Sequence, residues 1–327
     1  MDQQKDLIVV TGSAGFIASA LVALLNGQGL SNIVLVDDFS RADKEPNIAQ
    51  KQFLTKVHRN DFAAWLNDHA EKVQVIYHLG AKTDTTLQDK QVFDELNVNF
   101  SQMVWQYCTR FQIPLIYASS AATYGDGNLG YTDDESKIPQ LKPLNPYGVS
   151  KNDFDIWALQ QKEQPPHWYG LKFFNVYGPN EYHKGRMASV IFHAFHQIQK
   201  EQKARLFRSH RPDYEDGGQL RDFIYAKDVV HVCNWLYTNK PKSGIYNLGT
   251  GKARSFKDLV TAIFTALDLP VNIEYIDTPL DIRDSYQYYT QADMQKVKDQ
   301  GLDHEFYSLE EGVKDYVINY LLPNKVW

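Results

Sequence analysis

The chain has 327 residues, 43% of them hydrophobic, which is enough apolar material for one large α/β domain or two modest ones. A net charge of −6 with no long basic run gives no electrostatic support to a nucleic-acid partner. No apolar run approaches the ~18 residues that span a bilayer, the first residues carry no leader pattern, and two cysteines far apart suit a reducing cytoplasm. The expectation is small-molecule chemistry in the cytoplasm, without a membrane and without a metal site.

Leu7-Ile8-Val9-Val10-Thr11 is almost continuously apolar, the pattern of a strand buried on both faces, and it runs into Gly12-Ser13-Ala14-Gly15-Phe16-Ile17-Ala18. A helix is expected over 20–25. Glycines let such a turn approach a pyrophosphate while the helix N-terminus offers free N–H groups, so Gly12, Gly15, Phe16 and Ile17 are candidate dinucleotide contacts. Ala18 replaces a third glycine and is small enough for close helix packing.

A second strand over 33–36 ends in Asp37-Asp38, about 20 residues past the turn, where a carboxylate can bind the adenosine ribose. Arg41, Lys44 and Arg59 follow and can neutralise a 2′-phosphate, or can simply line a solvated loop. NAD and NADP both remain open. A third buried strand is expected over 75–81, with Leu79, Gly80 and Ala81 beneath the cofactor and His78 packed at the strand end. A helix over 92–111 carries Asn97, a further candidate cofactor contact. The strand over 114–118 delivers Ser119 and Ser120 at its carboxyl end, the side on which α/β sheets hold ligands. Strands alternating with helices imply a doubly wound parallel α/β sheet.

In Tyr147-Gly148-Val149-Ser150-Lys151 a phenol and an ammonium stand four residues apart, on one face of a helix N-terminus. A neighbouring ammonium is expected to bring the phenol down from its ordinary value of about 10. Tyr147 would then trade a proton with a substrate hydroxyl. Beyond it, 172–179 reads as a strand running into a turn, and 181–189 opens a helix continuing to about residue 200. A late strand over 245–249 and a helix capped by Ser255 follow.

Taken in order, TGSAGFIA, YHLGA, SSAATYG, YGVSK and FFNVYGP resemble the extended short-chain dehydrogenase/reductases that act on nucleotide sugars, over nearly the whole chain. The resemblance implies a Rossmann domain of residues 1–174 plus 223–249 and a smaller C-terminal α/β substrate domain of residues 175–222 plus 250–327. It also implies Tyr147 as the catalytic tyrosine, Lys151 as the residue that holds and tunes the nicotinamide ribose, and Ser120 as the hydroxyl that orients substrate.

The strings EYHKGRMASVIFH, FNVYGPNE, YNLGTGKARSF and YTQADM are most similar to the ADP-glyceromanno-heptose 6-epimerases. That family implies Lys184 as a second acid/base; a phosphate-binding or surface lysine is the other reading. An epimerase accepts and returns hydride on opposite faces of one carbon, so proton-transfer groups on both sides are useful. The resemblance further implies Asn175 beside the substrate, Val176 and Lys184 beside the nicotinamide, and His193, Phe207, Arg208, Ser209, His210, Arg221 and Tyr286 at the nucleotide sugar. His193 reads equally well as a core or capping histidine. Arg186 departs from the serine found in some members, which removes one sugar contact, though a guanidinium can serve the pyrophosphate.

The reaction so implied is epimerisation at C6″ of ADP-D-glycero-β-D-manno-heptose through a transient ketone with bound NADP, for the heptose of the lipopolysaccharide inner core. A homo-oligomer, a pentamer in that family, goes with it. The alternatives are a UDP-sugar 4-epimerase of the same fold and, from another class, a non-catalytic dinucleotide sensor, against which Tyr147 and Lys151 both stand.

Overall fold

Unbroken aliphatic runs make strands covered on both faces, and every residue of β1 (Leu7–Thr11) is buried. The structure, a computed structural model, describes residues 5–283 and 287–327. β1 leads through the glycine turn into α1 (Phe16–Gly27), β2 (Ile33–Asp37) into a 3-10 turn at Ala42–Asn47, and β3 (Thr55–His58) into α2 (Phe62–His69) and β4 (Val73–His78). α3 (Lys90–Phe93) and α4 (Phe100–Arg110) are joined by a π-helical turn at Asp94–Asn99; β5 (Leu115–Ser120), α5 (Pro146–Gln160), β6 (Trp168–Phe173) and β7 (Asn175–Tyr177) follow. Next come α6 (Val190–Glu201), β8 (Ala204–Phe207), β9 (Leu220–Tyr225), α7 (Ala226–Asn239), β10 (Gly244–Leu248), β11 (Ala253–Ser255), α8 (Phe256–Ala266) and β12 (Ile273–Ile276).

Seven strands form one parallel sheet in the order β10-β6-β5-β4-β1-β2-β3, the doubly wound arrangement the alternating pattern predicts. The order reverses between β1 and β4, and at such a switch point the outgoing chains leave a crevice beyond the carboxyl ends. A three-stranded sheet, β11-β9-β7, and a parallel pair, β12-β8, complete the strands. Aliphatic residues of the large sheet pack with Leu21 and Val22 of α1 and Val229 and Cys233 of α7 in one core. A second core gathers Ile191 and Phe195 of α6, Phe223 of β9 and Leu259 and Ile263 of α8. No helix among the described residues is long and apolar enough to cross a membrane.

Three elements differ from the sequence expectation. β4 stops at His78, so Leu79, Gly80 and Ala81 are loop; the His78 ring is consumed at the strand end by Thr11 Oγ1 (2.7 Å) and Ser101 Oγ (2.9 Å). The helix around Asn97 begins earlier, at Lys90, and the π turn buries Asn97. The segment 181–200 is not one helix: Gly185 takes φ +52° and ψ −128° inside a 3-10 turn (Tyr182–Met187), and extended Ser189 then caps α6, its Oγ accepting from Phe192 N at 3.2 Å.

α5 and β5 are locked together by buried charge. Asp155 on α5 accepts from Lys172 Nζ on β6 (2.8 Å) and from Ser119 Oγ (2.6 Å) and Tyr117 OH (3.1 Å) on β5; neither Asp155 nor Lys172 reaches solvent. Lys172 also donates to Thr123 Oγ1 at 2.7 Å. Removing one partner strands a buried charge, whereas replacing both with apolar side chains does not. Asp155→Ala is expected to lower the free energy of urea unfolding by about 3–5 kcal/mol, with the double change Asp155→Leu/Lys172→Met recovering most of it. Equal losses from the single and double variants would show that pairing is not what holds the junction.

Candidate active site

The crevice beyond β1 and β4 is shaped by two glycines. Gly12 has φ +67°, and a Cβ on it would sit 2.4 Å from Gly80 Cα, so the turns after β1 and β4 touch through bare backbone. Gly15 is the N-cap of α1 and no side chain caps that helix, leaving first-turn N–H groups at the crevice. Fully buried Ser13 Oγ, in the same turn, has no hydrogen-bond partner among the described residues. An uncapped helix N-terminus behind a glycine cradle fits a pyrophosphate, so the residues present suit a dinucleotide.

Beside this turn, Asp37 Oδ2 accepts from Ala14 N (2.9 Å) and Asp37 Oδ1 meets Lys44 Nζ at 3.2 Å. Asp38 pairs with Arg59 Nη2 at 3.2 Å, and hydrogen bonds from Ser40, ahead of that pairing, pull its carboxyl down to about 2. Arg41 pairs with Asp43 and donates to His183 O. Two carboxylates and the cations paired with them thus stand side by side next to the glycine turn. Leu79, Gly80 and Ala81 are half-buried past β4, and Phe16 and Ile17 open α1.

Asn97 is spent on the protein. Its Oδ1 accepts from Lys82 N (2.8 Å), and its Nδ2 donates to Lys82 O (3.0 Å) and Ser150 Oγ (2.9 Å). Ser150 in turn donates to Tyr147 O at 2.8 Å, so Asn97 ties the loop after β4 to the helix that carries Tyr147.

Tyr147 meets Ser120, and Lys151 lies one turn further along α5. Asn145 caps α5 by accepting from Gly148 N at 2.8 Å, and Pro146 occupies the first turn, which puts Tyr147 at the helix start and Lys151 one turn on. The Tyr147 phenol bonds the Ser120 hydroxyl at the carboxyl end of β5. Its acidity departs from the sequence expectation: burial pushes the phenol up, outweighing the Ser120 hydrogen bond that favours phenolate, and Asp155 adds to the rise. Lys151 does not counter this because its ammonium donates to Ala118 O at 2.9 Å; burial brings it down to about 8, with Asp155 opposing.

Lys184 comes from a different element, the turn after β7. Its ammonium lies 5.3 Å from the centroid of the Phe16 ring, at the start of α1. Burial lowers its pKa and Glu181 raises it. Next to it a cavity of about 280 Å³ is lined by Asn175, Val176, Met187, Ser189, Phe223 and Phe256. Arg221 on β9 lies 5.6 Å from the Phe256 ring and donates to Leu220 O and Gln287 O. His193 is half-buried in the first turn of α6, and Arg186 is exposed beyond Gly185.

The remaining predicted contacts gather on the β8 side. Phe207 ends β8, Arg208 bonds Asp277 at 3.3 Å, Ser209 Oγ donates to Arg211 O at 2.8 Å, and His210 N donates to Tyr288 OH at 2.8 Å. Tyr286 lies outside the described residues. Sequence reasoning missed the side chains that brace the site. Asn47 Nδ2 lies within hydrogen-bond distance of Ala14 O, Asn180 O and His183 Nδ1, linking the phosphate turn to the Lys184 turn, and nothing in ADKEPNIAQ signals this. Asp155 was more legible, standing one helical turn beyond Lys151.

A model of the NAD dependent epimerase/dehydratase family matches residues 8–249. The chain is 46% identical over 325 residues to a Fusobacterium nucleatum protein named ADP-L-glycero-D-manno-heptose-6-epimerase, covering 96% of this chain and 98% of that one. It is 48% identical over 317 residues to one of the same name from Nitratidesulfovibrio vulgaris, with 96% and 98% covered. Among solved structures, the Helicobacter pylori ADP-L-glycero-D-manno-heptose-6-epimerase superposes with a TM-score of 0.79 at 26% identity, over 98% of this chain and 97% of that one. A UDP-N-acetylglucosamine 4-epimerase from Methanobrevibacter ruminantium shares the fold, with a TM-score of 0.82 at 21% identity over 98% and 99%. With the cradle, the Ser120–Tyr147–Lys151 group and a match over most of its length, the chain belongs to the NAD dependent epimerase/dehydratase family.

Proposed function

We propose that this protein is an isomerase that inverts C6″ of ADP-D-glycero-β-D-manno-heptose, giving the ADP-L-glycero sugar. The observation that carries the reading is the pairing of two proton-transfer candidates from different elements, Tyr147 on α5 and Lys184 on the turn after β7, in a chain nearly half identical to proteins named for that reaction. A bound nicotinamide supplies hydride acceptance and hydride return at one carbon. The chain's own residues do the rest.

Ser120 holds the C6″ hydroxyl against Tyr147, and one of Tyr147 and Lys184 takes its proton as the carbinol becomes a ketone. The ketone then presents its other face, and the second group gives a proton to the oxygen as hydride returns to carbon. Electrons balance within one turnover, so no redox partner is consumed. Lys151, anchored on Ala118 O, steadies the ribose beside this centre. Asn175, His193, Phe207, Arg208, Ser209, His210, Arg221 and Tyr286 would bind the nucleotide sugar, with Arg186 serving the pyrophosphate, and Val176 would help hold the nicotinamide.

NADP is the proposed cofactor, because Lys44 and Arg59 each stand against one of the two carboxylates at the ribose end and can turn to a 2′-phosphate. The reading brings with it a cytoplasmic homo-oligomer serving the lipopolysaccharide inner core, and the two-domain division given above. Lys44→Ala is expected to weaken NADP binding about tenfold in calorimetry while leaving NAD nearly unchanged. Equal effects on the two cofactors would remove the support for NADP.

Incubation of the purified protein with ADP-D-glycero-β-D-manno-heptose, followed by NMR at C6″, tests the reaction itself. Tyr147→Phe is expected to slow it by about 10²–10⁴-fold while bound cofactor is retained. Turnover of UDP-galactose with the heptose untouched would instead favour the 4-epimerase.

A further inference from the structure

Glu181 is a buried carboxylate, 1% exposed, for which the proposed reaction has no use. Its backbone carbonyl starts the 3-10 turn by accepting from Lys184 N at 2.9 Å. Its side chain reaches forward to the start of α6, where Oε2 accepts from Ser189 N (2.5 Å) and Oε1 from Ser189 Oγ (2.7 Å). Oε1 also accepts weakly from Gly178 N at 3.4 Å. One side chain therefore closes 181–189 into a loop, with Gly185 at its bend and Lys184 projecting from it over Phe16.

We propose that Glu181 is a positioning residue for Lys184: its carboxylate clips the ends of the 181–189 loop together and keeps an anion beside the ammonium at the edge of the dinucleotide turn. The proposal rests on the epimerase reading for what Lys184 does, though not for where Lys184 is held. A backbone clip alone could be supplied by a neutral side chain; placing a carboxylate in a buried position costs desolvation, which a purely structural tie would avoid. What the charge adds is electrostatic support for a protonated lysine in surroundings that otherwise favour the neutral amine; burial pushes the Glu181 carboxyl up in turn, opposed by the hydrogen bonds from Ser189 and then by Lys184.

The other groups around the pair do not supply this. His183, on the same turn, is driven down to about 4 by burial and by Lys44 and Arg41, and is neutral at working pH. Arg41, Asp43 and Lys44 approach from the turn after β2, where Arg41 is paired with Asp43 and Lys44 with Asp37. The phenols of Tyr182 and of Tyr316, on the C-terminal helix Leu309–Tyr316, are raised by burial and stay neutral. Glu181 is the anion that raises Lys184.

Glu181→Gln keeps the shape of the clip, since its carbonyl can take Ser189 N–H and its amide can donate to Ser189 Oγ, but it removes the charge. The titration of Lys184 is read by competitive acetic anhydride labelling across pH with peptide mass spectrometry, which needs no substrate. In Glu181→Gln it is expected to move to lower pH by roughly one unit, with thermal unfolding close to wild type, and Glu181→Asp is expected to restore most of the shift. In the heptose assay the same variant is expected to lose about tenfold in kcat with little change in KM, and the pH limb due to Lys184 to move the same way. An unmoved Lys184 titration in a folded Glu181→Gln protein would overturn the proposal. A moved titration in a protein that leaves the heptose untouched would uphold the positioning role and overturn the function assigned to Lys184.

Discussion

The Lys172 ammonium and the Asp155 carboxylate meet at 2.8 Å with no access to water, and the reacting end of the molecule is assembled on that contact. Two charges are tolerated there because each has further hydrogen-bond partners: Asp155 also accepts from Ser119 and Tyr117, and Lys172 donates to Thr123 Oγ1, whose hydroxyl donates to Ser120 O at 2.8 Å. The end of β5, the start of the following 3-10 turn and the middle of α5 are thereby fixed to one another. Ser120 and Tyr147 belong to two of those pieces. A hydroxyl and a phenol meet across them because a buried ion pair, and not a loop, sets the spacing.

The carboxylate of that ion pair also acts, behind burial, on the charges above it. Burial disfavours charge on both Tyr147 and Lys151, pushing the phenol up and the ammonium down to about 8, and Asp155 acts on both in the sense that favours the protonated form. The phenol is therefore a proton donor at rest, contrary to what the Tyr-Lys spacing alone suggests. An acid held beside Ser120 suits the protonation of a carbonyl oxygen more directly than the deprotonation of a hydroxyl. In the reverse sense, in the reaction proposed, the same group takes a proton from a substrate hydroxyl only as its phenolate, the form that burial disfavours.

Much of this was legible in the residues. The buried strands, the glycine turn and the Ser120, Tyr147 and Lys151 group announce themselves because each is local: a run of aliphatics, a glycine where backbone must approach backbone, a helix capped by Asn145. The break inside 181–200 was not legible, because EYHKGRMASVIFH has a helical composition and only the positive φ of Gly185 and the Glu181 grip on Ser189 interrupt it. Asn47 and Asn180 were invisible for a different reason. Their partners lie 33 and 161 residues away along the chain, at Ala14 O and Ser19 Oγ, and no spacing rule reaches that far.

The two sides of the site share one device despite having no element in common. Lys151 has Asp155 one helical turn after it, and Lys184 has Glu181 three residues before it. Each carboxylate is buried and each opposes the effect of burial on its lysine; Asp155 is consumed by hydrogen bonds from β5 and β6, Glu181 by hydrogen bonds from the end of the loop that carries Lys184. Neither carboxylate forms a contact ion pair with its lysine among the described residues, and each offsets only part of the effect of burial. On the α5 side the device sits inside the rigid sheet core; on the other it closes a nine-residue loop between two small sheets. The sheet side gives the site its fixed reference, and the loop side is where a change of a few residues can move Lys184 without disturbing the core beneath.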